Sequence, residues 1–368
     1  MSAAPQKTLL IAGASGVIGA GAVEHFAQLP DWDVIALSRR APLVAVDGAF
    51  THVSLDLTDA DTCANAVAAL PPVSHLIYAA VDEAPGLVSG WHDADRMALN
   101  GAMFENLLRP LAKSGNLRHV SLLQGAKAYG AHVHPVATPL REDAPRDPHP
   151  NFYWLHEDEL RATAAHAGFA FTIWRPQVLI GNARGAAMNP ILPIAAYAAI
   201  CRERGLLFAL PGNSAAIWEL VDTGLLAEGM AWAAINLAAH GQTFNITNGD
   251  AFVLRHVWDE LAARIGLDPK GTPPADFTSF FADEVNRQAW AVLAKRNGLI
   301  EPSLSAFLGQ SHHYLDLLSS PRVAARPPVL LSTIKLRQAG FGACRDSFAA
   351  LTGQLRQMVE LKLLPSLF

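Results

Sequence analysis

The chain has 368 residues, 51% of them hydrophobic and 17% charged, a balance that suits an enzyme-like globule and excludes a disordered chain. Its length allows two lobes, one large and one smaller. A net charge of -5 leaves no basic footprint for a nucleic-acid backbone.

Residues 1–7 carry neither a charged leader nor a cleavage site, and the apolar run 9–12 is too short for a signal or a membrane span, so a cytoplasmic protein is expected. Short apolar runs of strand type at 8–12, 33–37, 52–55, 75–79, 119–123 and 170–174 alternate with apolar residues at helical spacing in 17–28, 60–69, 101–113 and 157–167. That rhythm means βαβ units and a parallel sheet. After Arg175-Pro176 the texture changes, with Gly181, Gly185, Pro190, Pro193, Pro211 and Gly212 breaking up helical runs such as 194–202. Residues 244–246 read as one more strand returning to the sheet. From about residue 252 the chain is mostly helical and rich in large apolar side chains, including Phe277, Phe280, Phe281, Trp290, Phe307, Tyr314 and Leu318. The expected fold is α/β: a Rossmann doubly wound parallel sheet over residues 1–180, with a sheet return at about 214–250. A smaller, mostly helical C-terminal substrate lobe is expected from 181–213 and 251–368.

Cys63, Cys201 and Cys344 lie far apart with no paired spacing, which points to ordinary buried or half-buried thiols. The adjacent His312 and His313 have no acidic or cysteine partner at ligand spacing, so no metal is expected.

The first strand runs straight into Gly13-Ala14-Ser15-Gly16-Val17-Ile18-Gly19, and a helix follows. In that context Gly13 permits the tight turn, Gly16 lets the backbone approach a pyrophosphate, and Gly19 allows close helix–strand packing. The helix N-terminus offers free N–H groups to the phosphates, so the loop with Ser15, Val17 and Ile18 is assigned to a dinucleotide. The second strand ends at Leu37, where an NAD enzyme would place an acid for the ribose 2′-hydroxyl; this chain reads Ser38-Arg39-Arg40. Two guanidinium groups and a hydroxyl suit a 2′-phosphate and point to NADP(H). Asp56-Leu57, after the third strand, suits the adenine edge. Most short-chain dehydrogenases place a lysine four residues after a catalytic tyrosine. None of the five tyrosines here has it: Asp82, Val133, Glu157, Cys201 and Leu318 follow Tyr78, Tyr129, Tyr153, Tyr197 and Tyr314 at that spacing.

Asn151-Phe152-Tyr153-Trp154-Leu155-His156-Glu157-Asp158 resembles the N-F-Y-x-x-x-E-D motif of the progesterone 5β-reductase/iridoid synthase-like family of extended, atypical short-chain dehydrogenases/reductases. Residues 121–130, from Ser121 through Lys127 to Gly130, resemble the family segment that holds the catalytic lysine. Asn100 with Met103-Phe104, Arg175-Pro176 with Gly181, Met188-Asn189, and residues 196–201, 215–218 and 244–250 are also similar. The likeness runs from the glycine loop to Asp250 and weakens afterwards.

The resemblance implies that Tyr153 is the catalytic tyrosine and Lys127 its partner. It also implies that Ala79, Asn100, Gln124, Lys127, Tyr153, Pro176 and Val178 complete the NADP(H) site. The implied activity is reduction of activated C=C bonds in α,β-unsaturated ketones or aldehydes, with hydride adding to the β-carbon. A tyrosine hydroxyl aimed at the carbonyl oxygen would stabilise the enolate by about 3–4 kcal/mol. A lysine near the nicotinamide ribose would hold the cofactor and lower the tyrosine pKa.

Trp154 stands where plant members commonly have a second tyrosine; with Phe152, Met188 and Trp218 it is a candidate for the substrate pocket. His156 is read as a surface or packing residue, and Glu157, Asp158 and Glu159 as favouring a helix N-terminal dipole. A carbonyl reductase/alcohol dehydrogenase could use the same pair. A sugar-nucleotide epimerase or dehydratase, which keeps a tightly bound NAD, is disfavoured by Arg39-Arg40, and a non-catalytic NADP sensor by the retention of Tyr153 and Lys127. The expected partner is a small enone, enal or ketone, with no nucleic acid and no membrane; family likeness alone suggests a homodimer.

Overall fold

The computed structural model describes residues 6–46, 50–83, 89–212, 215–320 and 327–368. The first half alternates β1 (Lys7–Ala12), α1 (Val17–Phe26), β2 (Trp32–Leu37), β3 (Phe50–Val53), α2 (Ala60–Ala69), β4 (His75–Tyr78), α3 (Ala94–Lys113), β5 (His119–Leu123), α4 (Phe152–Ala167) and β6 (Ala170–Pro176). β7 (Val178–Ile180), α5 (Ile191–Arg204), β8 (Ile217–Trp218), β9 (Leu220–Asp222), α6 (Thr223–Ile235), β10 (Gln242–Ile246) and β11 (Phe252–Val253) follow. Seven strands form one parallel sheet in the order β10-β6-β5-β4-β1-β2-β3.

Both faces of this sheet are covered, which is why its central strands are buried along most of their length and largely apolar rather than alternating. In β1, Leu10 packs with Leu76, Phe104 and Leu160 under α3 and α4, while Leu9 and Ile11 pack with Phe26 and Leu225 under α1 and α6. Strand order reverses between β1 and β4, and in such sheets the crevice beyond the carboxyl ends of those strands receives the ligand.

The second core is built around α5, where Ile191, Tyr197 and Ile200 are fully enclosed. Around it lie α7 (Leu254–Arg264), α8 (Phe277–Ala282), α9 (Glu284–Asn297), α10 (Leu304–Leu308) and α11 (Ser311–Leu318). α12 (Ile334–Gln338) returns to the sheet beside β10, and α13 (Ser347–Glu360) closes the chain against α5. Among the described residues, no helix is long and apolar enough to cross a membrane.

The strand expected at 244–246 forms as β10 and takes the sheet edge next to β6. The start of that return near residue 214 lies outside the described residues. α3 begins at Ala94 rather than at residue 101 because Asp93 caps it, accepting from the Asp95 and Arg96 N–H groups. β3 ends at Val53, leaving Asp56 in the turn that follows. Cys63 and Cys201 are buried, as expected, but Cys344 is exposed.

Three imidazoles are enclosed in this framework: His75 and His119 at the starts of β4 and β5, and His156 on α4. Burial pushes them down to about 4, 3 and 4 from 6.5. A buried base with a depressed pKa favours the fold above its unfolded value, and that stability is lost as pH falls from about 6.5 toward 4. At pH 5 the loss approaches roughly 2 kcal/mol for each group. The melting temperature is therefore expected to drop markedly between pH 7.5 and pH 5, and an unchanged midpoint would contradict the neutral, enclosed state of these rings.

Candidate active site

Beyond the carboxyl ends of β1, β2 and β4 lies a groove of about 380 Å³ lined by Gly13, Ser15, Gly16, Val17 and Ile18 at its centre. Gly13 sits at φ +81, and a Cβ there would meet the Ala79 backbone at 2.7 Å. A Cβ on Gly19 would lie 2.1 Å from the Gly13 carbonyl, so this glycine sets how closely α1 approaches the turn. No side chain caps α1: Gly16 is its N-cap, and the first N–H groups face the groove without an intrahelical acceptor. A cradle of that kind fits a pyrophosphate.

At one end of the groove stand Ser38, Arg39 and Arg40. Ser38 is buried and its hydroxyl donates to the Arg40 carbonyl at 2.7 Å, which fixes the turn. Both arginines are exposed. Among the described residues neither guanidinium forms an ion pair with a carboxylate, although the Arg39 charge acts on Asp56, and both positive charges stand beside the groove. Asp56 and Leu57 line the same end, but one Asp56 oxygen accepts from the Thr58 N–H and hydroxyl at 3.0 and 2.9 Å. Those bonds hold its carboxyl below the usual range and involve only one of its two oxygens.

At the opposite end the groove opens into a second, largely apolar cavity of about 360 Å³. Gln124, Tyr153, Leu179 and Met188 line both spaces, and Pro176 and Val178 line the cavity. Tyr153 reaches this junction because α4 starts at Phe152: the Asn151 side chain caps the helix by accepting from the Tyr153 N–H at 3.0 Å. The same Asn151 donates from Nδ2 to the Lys127 carbonyl at 3.3 Å. One asparagine thus ties the backbones of the two residues expected to act together.

The Tyr153 hydroxyl lies beside Gly125, where a Cβ would stand at an ordinary contact distance of 3.4 Å. That hydroxyl has no hydrogen bond to any described residue, and burial, reinforced by Glu83 and Tyr314, raises its pKa far above the ordinary value. It is a neutral donor facing the cavity. Lys127 lies in the single turn Ala126–Tyr129 and lines the same cavity. Its ammonium sits 3.6 Å from the centre of the Trp91 ring. Burial pushes its pKa down to about 8, with Glu83 opposing. A lysine that is fully charged only below that value should make kcat/KM, which reports the free enzyme, decline above about pH 8. A profile flat through pH 9.5 would show that this charge is not needed.

Two expected site residues serve as supports. Asn100 is buried, accepts from the Asp82 N–H at 2.8 Å and donates to the Asp82 and Arg96 carbonyls, pinning the segment after β4. Gln124 donates to Glu157 at 2.9 Å and accepts from Arg175 Nε at 2.9 Å, joining β5, α4 and β6 behind Tyr153. Of the four pocket candidates, Met188 and Trp218 line the cavity and two do not. Phe152 faces a small void beside Lys127 and Asn100. Trp154 points elsewhere because successive helical residues diverge by about 100°: its Nε1 donates to the His149 carbonyl at 3.1 Å and Arg146 stacks on its ring at 4.6 Å.

The acidic run on α4 also differs from expectation. With the helix starting at Phe152, these acids lie past the first turn, where the dipole has faded, and each finds an arginine. Glu159 pairs with Arg109, Asp158 with Arg146, and the buried Glu157 with Arg161 at 2.9 Å. His156 is a packing residue, its Nε2 on the Asn100 carbonyl at 2.8 Å and its ring on Tyr78 and Phe104.

Residues that sequence reasoning did not single out for the site complete it. Trp91 and Glu83 flank Lys127, while Tyr314, Gln177 and Glu219 line the substrate cavity, and Arg184 lines the groove. Burial raises the Glu219 carboxyl to about 7, although one oxygen accepts from the Leu331 N–H at 2.7 Å.

Residues 9–247 match the model of the NAD dependent epimerase/dehydratase family. An (S)-8-oxocitronellyl enol synthase from Antirrhinum majus is 28% identical, covering 98% of this chain and 93% of the relative. Another from Nepeta racemosa is 31% identical over 70% of this chain and 68% of its own. The short chain dehydrogenase gsfE of Penicillium aethiopicum is 29% identical over 98% of this chain and 99% of its own. Among solved structures, the epimerase Mth375 of Methanothermobacter thermautotrophicus aligns with a TM-score of 0.67 at 14% identity, covering 97% of this chain and 93% of that one. The Bordetella bronchiseptica enzyme WbmG, solved with NAD and UDP, gives 0.64 at 17% identity, covering 98% and 97%. At such identities these two show the fold alone.

The chain belongs to the NAD dependent epimerase/dehydratase family and is an NAD(P)-dependent oxidoreductase. Within that class its full-length relatives place it in the progesterone 5β-reductase/iridoid synthase-like group.

Proposed function

We propose that the protein is an NADPH-dependent reductase of activated C=C bonds in α,β-unsaturated ketones and aldehydes. The observation that carries this reading is the Tyr153 hydroxyl, unpartnered within the described protein and facing an apolar cavity that opens onto the dinucleotide groove. When bound, NADPH supplies the hydride. The chain's own residues hold the reactants and stabilise charge.

As an enone is reduced at its β-carbon, negative charge collects on the carbonyl oxygen. A neutral donor in a site of low dielectric is well suited to hold that charge. The Asn151 cap fixes the backbone of the donor before substrate arrives, so little reorganisation is needed at the moment of reaction. Lys127 adds positive potential on the same wall and offers a donor to a ribose hydroxyl. Relatives named enol synthases support C=C over C=O reduction, because an enol is the first product of conjugate addition and is not formed by direct attack on a carbonyl. The exposed Arg39 and Arg40 at the end of the groove support NADPH over NADH.

The test is turnover of 2-cyclohexen-1-one, open-chain enals and a steroid enone with NADPH, with products identified by chromatography and mass. Saturated ketone or aldehyde is expected. Allylic alcohol would assign a carbonyl reductase, and tight coenzyme binding without turnover of any substrate would favour a sensing protein.

A further inference from the structure

Residues 181–189 cross the groove as a loop of fixed shape. One end abuts the start of α1, where a Cβ on Gly181 would lie 3.0 Å from a Val17 methyl. The Asn189 side chain closes the loop by donating to the Gly181 carbonyl at 2.7 Å. Its middle is held by the second lobe, the Gly185 N–H donating to the Phe307 carbonyl of α10 at 2.8 Å. Its far end brings Met188 to the junction with the substrate cavity. Arg184 lies between these ends and lines the groove.

The Arg184 guanidinium is held from one side only. Nη1 donates to Glu301 at 2.9 Å, and the second Glu301 oxygen accepts from the Ser303 N–H at 3.1 Å, which orients the carboxylate. Among the described residues, Nε and Nη2 have no acceptor. A guanidinium fixed through one nitrogen presents its remaining donors as a fork suited to a phosphate.

We propose that Arg184 binds the pyrophosphate of the dinucleotide, opposing the α1 N-terminus across the groove, with Glu301 as its positioning residue. The site would take the diphosphate shared by NADH and NADPH and make no contact with the 2′-phosphate, for which Arg39 and Arg40 stand at the other end. Because Glu301 belongs to the second lobe, this contact joins that lobe directly to the coenzyme. The inference rests on the dinucleotide reading and goes beyond it.

The test is fluorescence titration of the full chain with NADPH and with NADH, for the parent protein and for Arg184→Ala and Glu301→Gln. Arg184→Ala should weaken both coenzymes by the same factor, about 10- to 100-fold, with a shallower dependence of log Kd on salt because one ionic contact has gone. Glu301→Gln should weaken both by a smaller common factor and keep the parent salt dependence. A packing role for Arg184 would leave the salt dependence unchanged; that result, unchanged affinities, or a loss confined to NADPH would overturn the assignment. Failure of the parent protein to bind either coenzyme would instead overturn the dinucleotide reading, and the assignment with it.

Discussion

Replacing Tyr153 with Phe is expected to lower kcat by about 100- to 1000-fold, the usual loss on removing one donor from an oxyanion site. The substitution should change little else. The hydroxyl makes no hydrogen bond with any described residue, so its removal leaves no buried partner unsatisfied. The ring keeps its edge-to-face contact with Phe152, centroids 4.7 Å apart, and the Asn151 cap acts on the backbone N–H that phenylalanine retains. The melting temperature should therefore stay close to the parent value while turnover collapses. Equal losses in kcat and kcat/KM would mark an interaction made only in the transition state. Turnover within about threefold of the parent would remove the hydroxyl from the chemistry.

The double replacement Arg39→Ala, Arg40→Ala should weaken NADPH by about 100-fold or more and NADH by only a fewfold. Each charge-assisted hydrogen bond to a phosphate contributes roughly 1.5–3 kcal/mol. Both guanidinium groups are exposed and neither forms an ion pair among the described residues, so little of the fold depends on them. Ser38 keeps the turn through its bond to the Arg40 carbonyl, which alanine also provides. Titration of both coenzymes, checked at two salt concentrations, measures the ratio. Equal weakening of NADH and NADPH would contradict the 2′-phosphate assignment and leave the coenzyme preference without a basis in these residues.

Much of the first half of the chain is legible because its signals are local. A buried strand followed by glycines and a helix can be recognised in about twenty residues, and β1, the Gly13 turn and α1 form as that pattern demands. The pairing of Tyr153 with Lys127 needed the family resemblance, since they are far apart in sequence and share no spacing rule. The structure shows what joins them, the two-sided Asn151 side chain. The start of α4 was hidden because its first turn, Phe152-Tyr153-Trp154, is aromatic on every side and gives no helical period, although the capping asparagine is visible in the sequence.

The substrate cavity was much less legible. Its wall is assembled from β7, the β8–β9 corner, α11 and residues 327–329, segments that approach only after the whole chain has folded. Of the large apolar residues noted in the C-terminal part, Phe277, Phe280, Phe281, Trp290 and Phe307 fill the core, while Tyr314 and Leu318 reach the cavity. Composition cannot distinguish these two outcomes, because both environments reward burial of aromatic surface. Trp91 and Arg184 were missed for a related reason: each acts through a contact with a residue remote in sequence, Lys127 and Glu301.

The most direct test of the central claim is a single turnover of 2-cyclohexen-1-one with NADPH deuterated at both C4 positions of the nicotinamide, followed by location of the label in the product. Saturated cyclohexanone carrying one deuterium on the carbon that was β to the carbonyl is the expected result. Deuterium on the carbinol carbon of an allylic alcohol would contradict it and move the protein to direct carbonyl reduction.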